Sequence, residues 1–262
     1  MSHDIAADLP VDRLRPFLIE LLQAASVYEY DAETAVEAVT ATGDAAEHAI
    51  AEVPGWIDLI AEGRIDPRGK PLVLAESPAL LSLDGSSALG PVGVAKAATW
   101  AIEAAGRQGA AVAIVKNGRP LPLTRWVHER LARAGRIGLL TTNQTTDSHG
   151  TTIRSVAATA EGVTSLSQSS GTGDDPLAVW PALLTGGRTL DEKPSAPNPV
   201  QAEHVLVVVD PEQAFGLAAA ATCLSRSPIQ TSAPLADALT VSPSLRDRLA
   251  SHADAHEIPC PW

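Results

Sequence analysis

Apolar residues recur at helical spacing near the start of the chain and at strand spacing in its middle. Leu14, Phe17, Leu18, Leu21 and Leu22 follow Pro10 at i, i+3, i+4 and i+7, which predicts an amphipathic helix. A second, alanine-rich helix is expected from Asp31 to about Ala51, and a short third from Pro54 that Gly63 stops. From Leu72 the period changes. Leu72-Val73-Leu74 and Ala79-Leu80-Leu81-Ser82-Leu83 read as strands, and Pro91 to Ala105 as a helix. The continuous apolar runs Ala110–Val115 and Ile137–Thr142 predict strands covered on both faces, with a helix over 123–134 between them. Two weaker strands are expected at 153–159 and 162–167, a helix at 176–185, and a clear strand at His204–Val209. The tail over 212–262 reads as helical with a break at 227–235. Strand, helix, strand at this spacing predicts an α/β fold.

Composition narrows the function classes. The 262 residues are 45% apolar, enough for a substantial core, but only 3% aromatic, so that core must be built from Ala, Leu, Val and Ile. Thirty-one acidic residues against 19 basic ones give a net charge of −12 without a Lys/Arg cluster, which argues against nucleic acid or an anionic membrane surface as partner. The start, Met1-Ser2-His3-Asp4, has no basic and apolar leader pattern, and no apolar run is long enough for a membrane span, so a cytoplasmic protein acting on a small molecule is expected. Cys223 and Cys260 lack metal-ligand spacing; they read as reduced thiols, and no metal site is expected.

Six segments, in order, carry a family resemblance: Ala61-Glu62-Gly63-Arg64-Ile65-Asp66-Pro67, Leu83-Asp84-Gly85-Ser86-Ser87-Ala88-Leu89-Gly90-Pro91, Ile114-Val115-Lys116-Asn117, Ala134-Gly135-Arg136-Ile137-Gly138, His204–Pro211 and Glu257-Ile258-Pro259-Cys260-Pro261. Together they resemble the malate/L-lactate dehydrogenase family, the non-Rossmann NAD(P)-dependent 2-hydroxyacid dehydrogenases. The resemblance implies a central mixed sheet with helical N- and C-terminal segments packed together, and a homodimer. On that basis residues 1–75 with 212–262 form a helical, dimerising unit, and 76–211 the sheet unit with a shortened cofactor segment.

The family's signatures are altered at the site. The resemblance places the family's proton-donating histidine at His48, six residues before Pro54, but Glu47 replaces the preceding Ser, Ala49 the following Gly, and Glu52 the carboxylate-binding Arg. A carboxylate at 52 would repel a 2-oxo acid by about 1–4 kcal/mol near a surface. The second signature falls on Asn117-Gly118-Arg119-Pro120-Leu121-Pro122, where Pro120 replaces a second histidine and can neither donate nor transfer a proton. The dinucleotide signature falls on Leu166-Ser167-Gln168-Ser169-Ser170-Gly171 without its Asp, and Asp174-Asp175-Pro176 joins almost directly to Leu177-Ala178-Val179-Trp180. Loss of the cofactor is therefore expected.

His48 reads either as a general acid/base with Glu47 or Glu52 beside it, or as a surface histidine. Arg119 and Arg125 bracket the altered Pro120 loop and could bind an anionic substrate, or be surface charges. Trp56 and Trp126 read as pocket walls or as core, as does Trp180. Asn143 and the tetrapeptide Asp147-Ser148-His149-Gly150 follow the strand at 137–142; Ser148 and His149 count as candidate substrate contacts, although neighbours in sequence rarely form a triad. Three functions remain open. The first is non-redox chemistry such as cyclisation, isomerisation or elimination in bacterial specialised metabolism. The second is NAD(P)H-dependent reduction of a small carbonyl or 2-oxo acid. The third is a catalytically silent binding partner.

Overall fold

In a computed structural model, residues 7–41, 46–118, 124–146, 150–159, 162–170, 202–213 and 238–262 are described. The chain begins with β1 (Ala7–Pro10) and α1 (Val11–Ala24), whose Leu14, Phe17, Leu18, Leu21 and Leu22 are all buried, as their spacing predicts. α2 spans Glu29–Thr40, α3 Ala46–Ile50 and α4 Glu52–Ala61. The single helix expected from Asp31 to about Ala51 is thus divided after Thr40 into α2 and α3, and α3 ends at Ile50, close to the expected end.

The large sheet runs in the order β2-β3-β4-β8-β5-β6-β7. Its strands are β2 (Leu72–Ser77), β3 (Leu80–Asp84), β4 (Ala110–Gly118), β5 (Ile137–Thr146), β6 (Gly150–Thr159), β7 (Gly162–Ser170) and β8 (Ala202–Val209). Among the described residues only β3 and β4 are parallel neighbours, joined through α5 (Gly90–Gln108), and the other described pairs are antiparallel. The mixed α/β architecture follows from this order. α5 turns Ala97, Ala98, Ala101, Ala104 and Ala105 inward, a small-residue stripe that lets a helix approach the sheet closely. α6 (Thr124–Arg133) precedes β5.

The tail differs from its helical reading. β9 (Ala238–Val241) pairs antiparallel with β1, matching Ala7 to Val241 and Pro10 to Ala238, before α7 (Pro243–Ala255). This two-stranded ladder ties the two ends of the described chain and brings α7 beside α3 and α4. A strand of four residues whose only partner lies more than two hundred positions away leaves no local signal. The 176–185 helix and the 227–235 break lie outside the described residues. One apolar cluster links the helices to the sheet, from Leu14 and Trp56 through Ala101 and Val115 to Leu206 and Leu249, and it is dominated by Ala, Leu and Val as the aromatic scarcity requires. Among the described residues no helix is long and apolar enough to cross a membrane, and no group of His, Cys, Asp and Glu is arranged to hold a metal ion.

Candidate functional site

α3 is a single short turn of helix held by its buried residues. Ala49 and Ile50 are fully buried, which turns Glu47 and His48 toward the outside. Glu47 is half-buried and its Oε1 accepts the backbone N–H of Ser242, 3.0 Å away at the start of α7. His48 is exposed and opens, with Ala51, onto a cleft of about 300 Å³. Ser242, Ser244, Leu245 and Arg248 close the other side. Ligand pockets start near this volume.

Glu52 stands apart from this arrangement. It begins α4, half-buried, and does not line the cleft. Ala51, between α3 and α4, keeps helical backbone angles and donates its N–H to the Glu47 carbonyl at 2.9 Å, so Glu52 follows His48 by about one turn. Among the described residues His48 and Glu52 share no hydrogen bond or ion pair. Glu47, the other carboxylate expected beside His48, spends an oxygen on Ser242.

Of the candidate tryptophans, the two that are described belong to the core. Trp56 is fully buried on α4 and Trp126 is 1% exposed on α6, where the Arg130 guanidinium lies 5.0 Å from its ring centre. Neither indole N–H has a hydrogen-bond acceptor among the described residues. In a chain with so few aromatics, the largest apolar side chains are taken by the core. Arg125 is half-buried and pairs with Glu129 one turn on, at 3.3 Å. Asn143 lies on β5, its backbone paired to Ile153 and Glu203. Ser167, Gln168, Ser169 and Ser170 lie on β7 against β6. Arg119, Pro120, Ser148, His149 and Trp180 lie outside the described residues.

At the carboxyl ends of the parallel pair, Asp84 Oδ1 accepts the backbone N–H of Ser86 at 2.9 Å and the amide of Asn117 at 3.3 Å. Burial alone would raise the Asp84 carboxyl, but these donors, the Ser86 hydroxyl and the Lys116 charge outweigh it and hold the group below the usual carboxylate range. Asn117 adopts φ +54°, the left-handed region that Asn tolerates better than most residues, and this turns the chain at the end of β4. Glu203 on β8 is shifted the other way, raised by burial with Lys116 opposing in part.

Arg248, Ser242 and Ser244 are the site residues that the sequence reading missed. Their signal was present in the i, i+4 spacing of Ser244, Arg248 and His252 along α7, but only the β1–β9 pairing turns that face toward His48.

A fold of this order, with a mixed sheet flanked by helices from both chain ends, matches solved dehydrogenases and reductases. A sequence model of the malate/L-lactate dehydrogenase family matches residues 9–157, more than half of the chain, and the chain belongs to that family. Malate dehydrogenase from Pyrococcus horikoshii OT3 superposes with a TM-score of 0.67 at 18% identity, over 98% of this chain and 97% of that one. Sulfolactate dehydrogenase from Methanocaldococcus jannaschii gives 0.69 at 16%, over 96% and 98%. Delta1-piperideine-2-carboxylate reductase from Pseudomonas syringae pvar. tomato gives 0.57 at 16%, over 97% and 96%. At these identities the likeness establishes the fold. No curated protein sequence matches the chain. Family membership overturns the expectation that the chain works without a cofactor, and it favours oxidoreductase chemistry over the non-redox alternatives. The altered signature residues had pointed to cofactor loss; the family match extends over residues 9–157, which include the N-terminal helices and most of the sheet strands.

Proposed function

We propose that the chain is an NAD(P)H-dependent oxidoreductase that reduces the carbonyl of a small organic substrate, with His48 as the proton donor. The observation that carries this reading is the opening of His48 onto a cleft of about 300 Å³ in a chain of a dehydrogenase family. A dinucleotide presents phosphates and ribose hydroxyls and needs hydroxyl and cationic partners on an open rim. The rim at the carboxyl ends of β3 and β4 has that chemistry, because Ser86, Ser87 and Lys116 are exposed there, and α/β sheets hold ligands at the carboxyl ends of their parallel strands. Ser86, Ser87 and Lys116, which stand on this rim and not in the lining of the His48 cleft, would hold the anionic part of the cofactor, and the bound cofactor would supply hydride to the carbonyl carbon. The imidazolium of His48 delivers the proton to the carbonyl oxygen as negative charge develops there, and is restored from solvent through the open face of the cleft. Ala51 and Leu245 supply the apolar part of the cleft wall and limit what fits beside the histidine.

The test is direct. NADH and NADPH are titrated against tryptophan fluorescence, and turnover of a panel of 2-oxo acids is followed by loss of reduced nicotinamide. Binding in the micromolar range and turnover of at least one panel member are expected, with His48→Ala lowering kcat by about 100-fold or more while cofactor affinity is unchanged. No binding of either nucleotide, or a His48→Ala variant of full activity, would overturn the proposal.

A further inference from the structure

Glu52 removes the cation that the resemblance places four residues after the catalytic histidine, yet the cleft is not without one. Arg248 approaches His48 from the opposite end of the chain. It is exposed on α7, and among the described residues no hydrogen bond or ion pair engages it. Glu47 is the carboxylate of the same cleft, and one of its oxygens already accepts the N–H of Ser242.

The helix that carries Arg248 is held in place. Leu245 and Leu249 are buried on its inner side. One turn beyond Arg248, His252 Nε2 meets Asp58 of α4 at 3.4 Å. One turn before it, Ser244 lines the cleft, and its hydroxyl lies 3.3 Å from that of Ser242. Ser244, Arg248 and His252 thus share a face, because residues four apart on a helix are neighbours. The face that meets α4 at His252 meets the His48 cleft at Arg248.

We infer that Arg248 receives the carboxylate of the substrate, so that the C-terminal helix supplies the specificity-determining cation that α4 lacks. The inference rests on the reduction proposed above, whose substrate it narrows to a small carbonyl compound bearing a carboxylate. A planar guanidinium gripping a carboxylate through two parallel hydrogen bonds fixes both position and orientation, and the paired serine hydroxyls add donors beside it. The carbonyl is thereby held toward His48, the arrangement from which proton delivery gains most.

Binding is measured by ligand-observed NMR with pyruvate, 2-oxoisovalerate and phenylpyruvate, each against its uncharged methyl ester, for the wild type, Arg248→Met and Arg248→Lys. The wild type should bind at least one acid tenfold or more tightly than its ester. Arg248→Met should erase that preference, and Arg248→Lys should restore part of it, with nucleotide binding unchanged in both. Because Arg248 is exposed, both variants should keep the circular dichroism spectrum of the wild type. A wild type without preference for any of the acids, or an Arg248→Met variant that retains the preference, would overturn the assignment. Acid binding through Arg248 without nicotinamide turnover would leave the assignment standing and remove the reduction instead.

Discussion

Glu47 Oε1 accepts the backbone N–H of Ser242 at 3.0 Å, a bond between residues 195 positions apart. It closes the cleft, because Glu47 and His48 are on one wall and α7 begins at the other. α7 has no acidic residue in its first turn and Ser242 makes no side-chain cap, so a carboxylate borrowed from α3 serves the positive end of this helix. Glu47 is a fastening, and its place beside His48 follows from that task. Glu47→Ala should therefore cost about 1–3 kcal/mol in urea unfolding, the range for a charged hydrogen bond to a partly buried group, and Glu47→Gln should cost less because an acceptor oxygen remains.

Gly138 marks a close approach between α6 and the sheet. A Cβ there would stand 2.7 Å from Leu131 Cδ1 and 2.8 Å from the Val207 carbonyl oxygen. The leucine tip can turn aside, but the carbonyl belongs to the β5–β8 ladder and cannot. Gly138→Ala should lower stability by about 1–3 kcal/mol, read as a reduced melting temperature. Gly135→Ala offers a contrast: nothing crowds its Cβ, and any loss comes from its φ of +64° alone.

Asp84 sets an acid limit on stability. Its carboxyl is held below the usual range in the folded chain, so the stabilisation is fully present above the unfolded carboxylate value and is lost as pH falls through the folded one. Asp84→Asn should be less stable than the wild type near neutral pH. The two unfolding curves should converge as pH drops below about 4, the ordinary carboxylate range. Parallel curves down to the lowest pH measured would show that the donors around Asp84 do not favour its charged form.

Arg136 and Asp210 form the most buried ion pair in the described structure, Nη2 to Oδ2 at 3.2 Å with the Asp210 side chain only 5% exposed. The guanidinium lies against Gly106 of α5, where a Cβ would sit 2.8 Å from Nη2. Asp210 also accepts the N–H of Glu212 and the Gln213 amide, and Gln213 in turn donates to the Gly106 carbonyl oxygen at 2.7 Å. Arg136→Met leaves that carboxylate without its charge partner and should cost about 3 kcal/mol in denaturant unfolding. The double variant Arg136→Met with Asp210→Asn should recover part of the loss, and full additivity of the two changes would show that the pair is not coupled.

Much of this architecture can be read from local pattern. The i, i+3, i+4 rhythm of Leu14 to Leu22 determined α1, and the apolar runs at 110–115, 137–142 and 204–209 marked the central strands β4, β5 and β8, but the cover expected on both faces is incomplete: Ala111, Ala113 and Val115 are buried under one face, while Val112, Ile114, Leu139 and Val207 on the other are half-buried. The ordered segments from Ala61 to Pro261 determined the family, and the spacing to Pro54 determined His48 as the candidate acid. What surrounds His48 was decided elsewhere. Trp56 and Trp126 went to the core, Glu52 lies outside the cleft lining, and Glu47 was taken up by Ser242. Arg248 came to the cleft only because β9 pairs with β1. Periodicity reports which face of an element is apolar, a property of neighbours within a few turns. The partner across a cleft depends on pairing between distant segments, and only the folded chain contains that pairing.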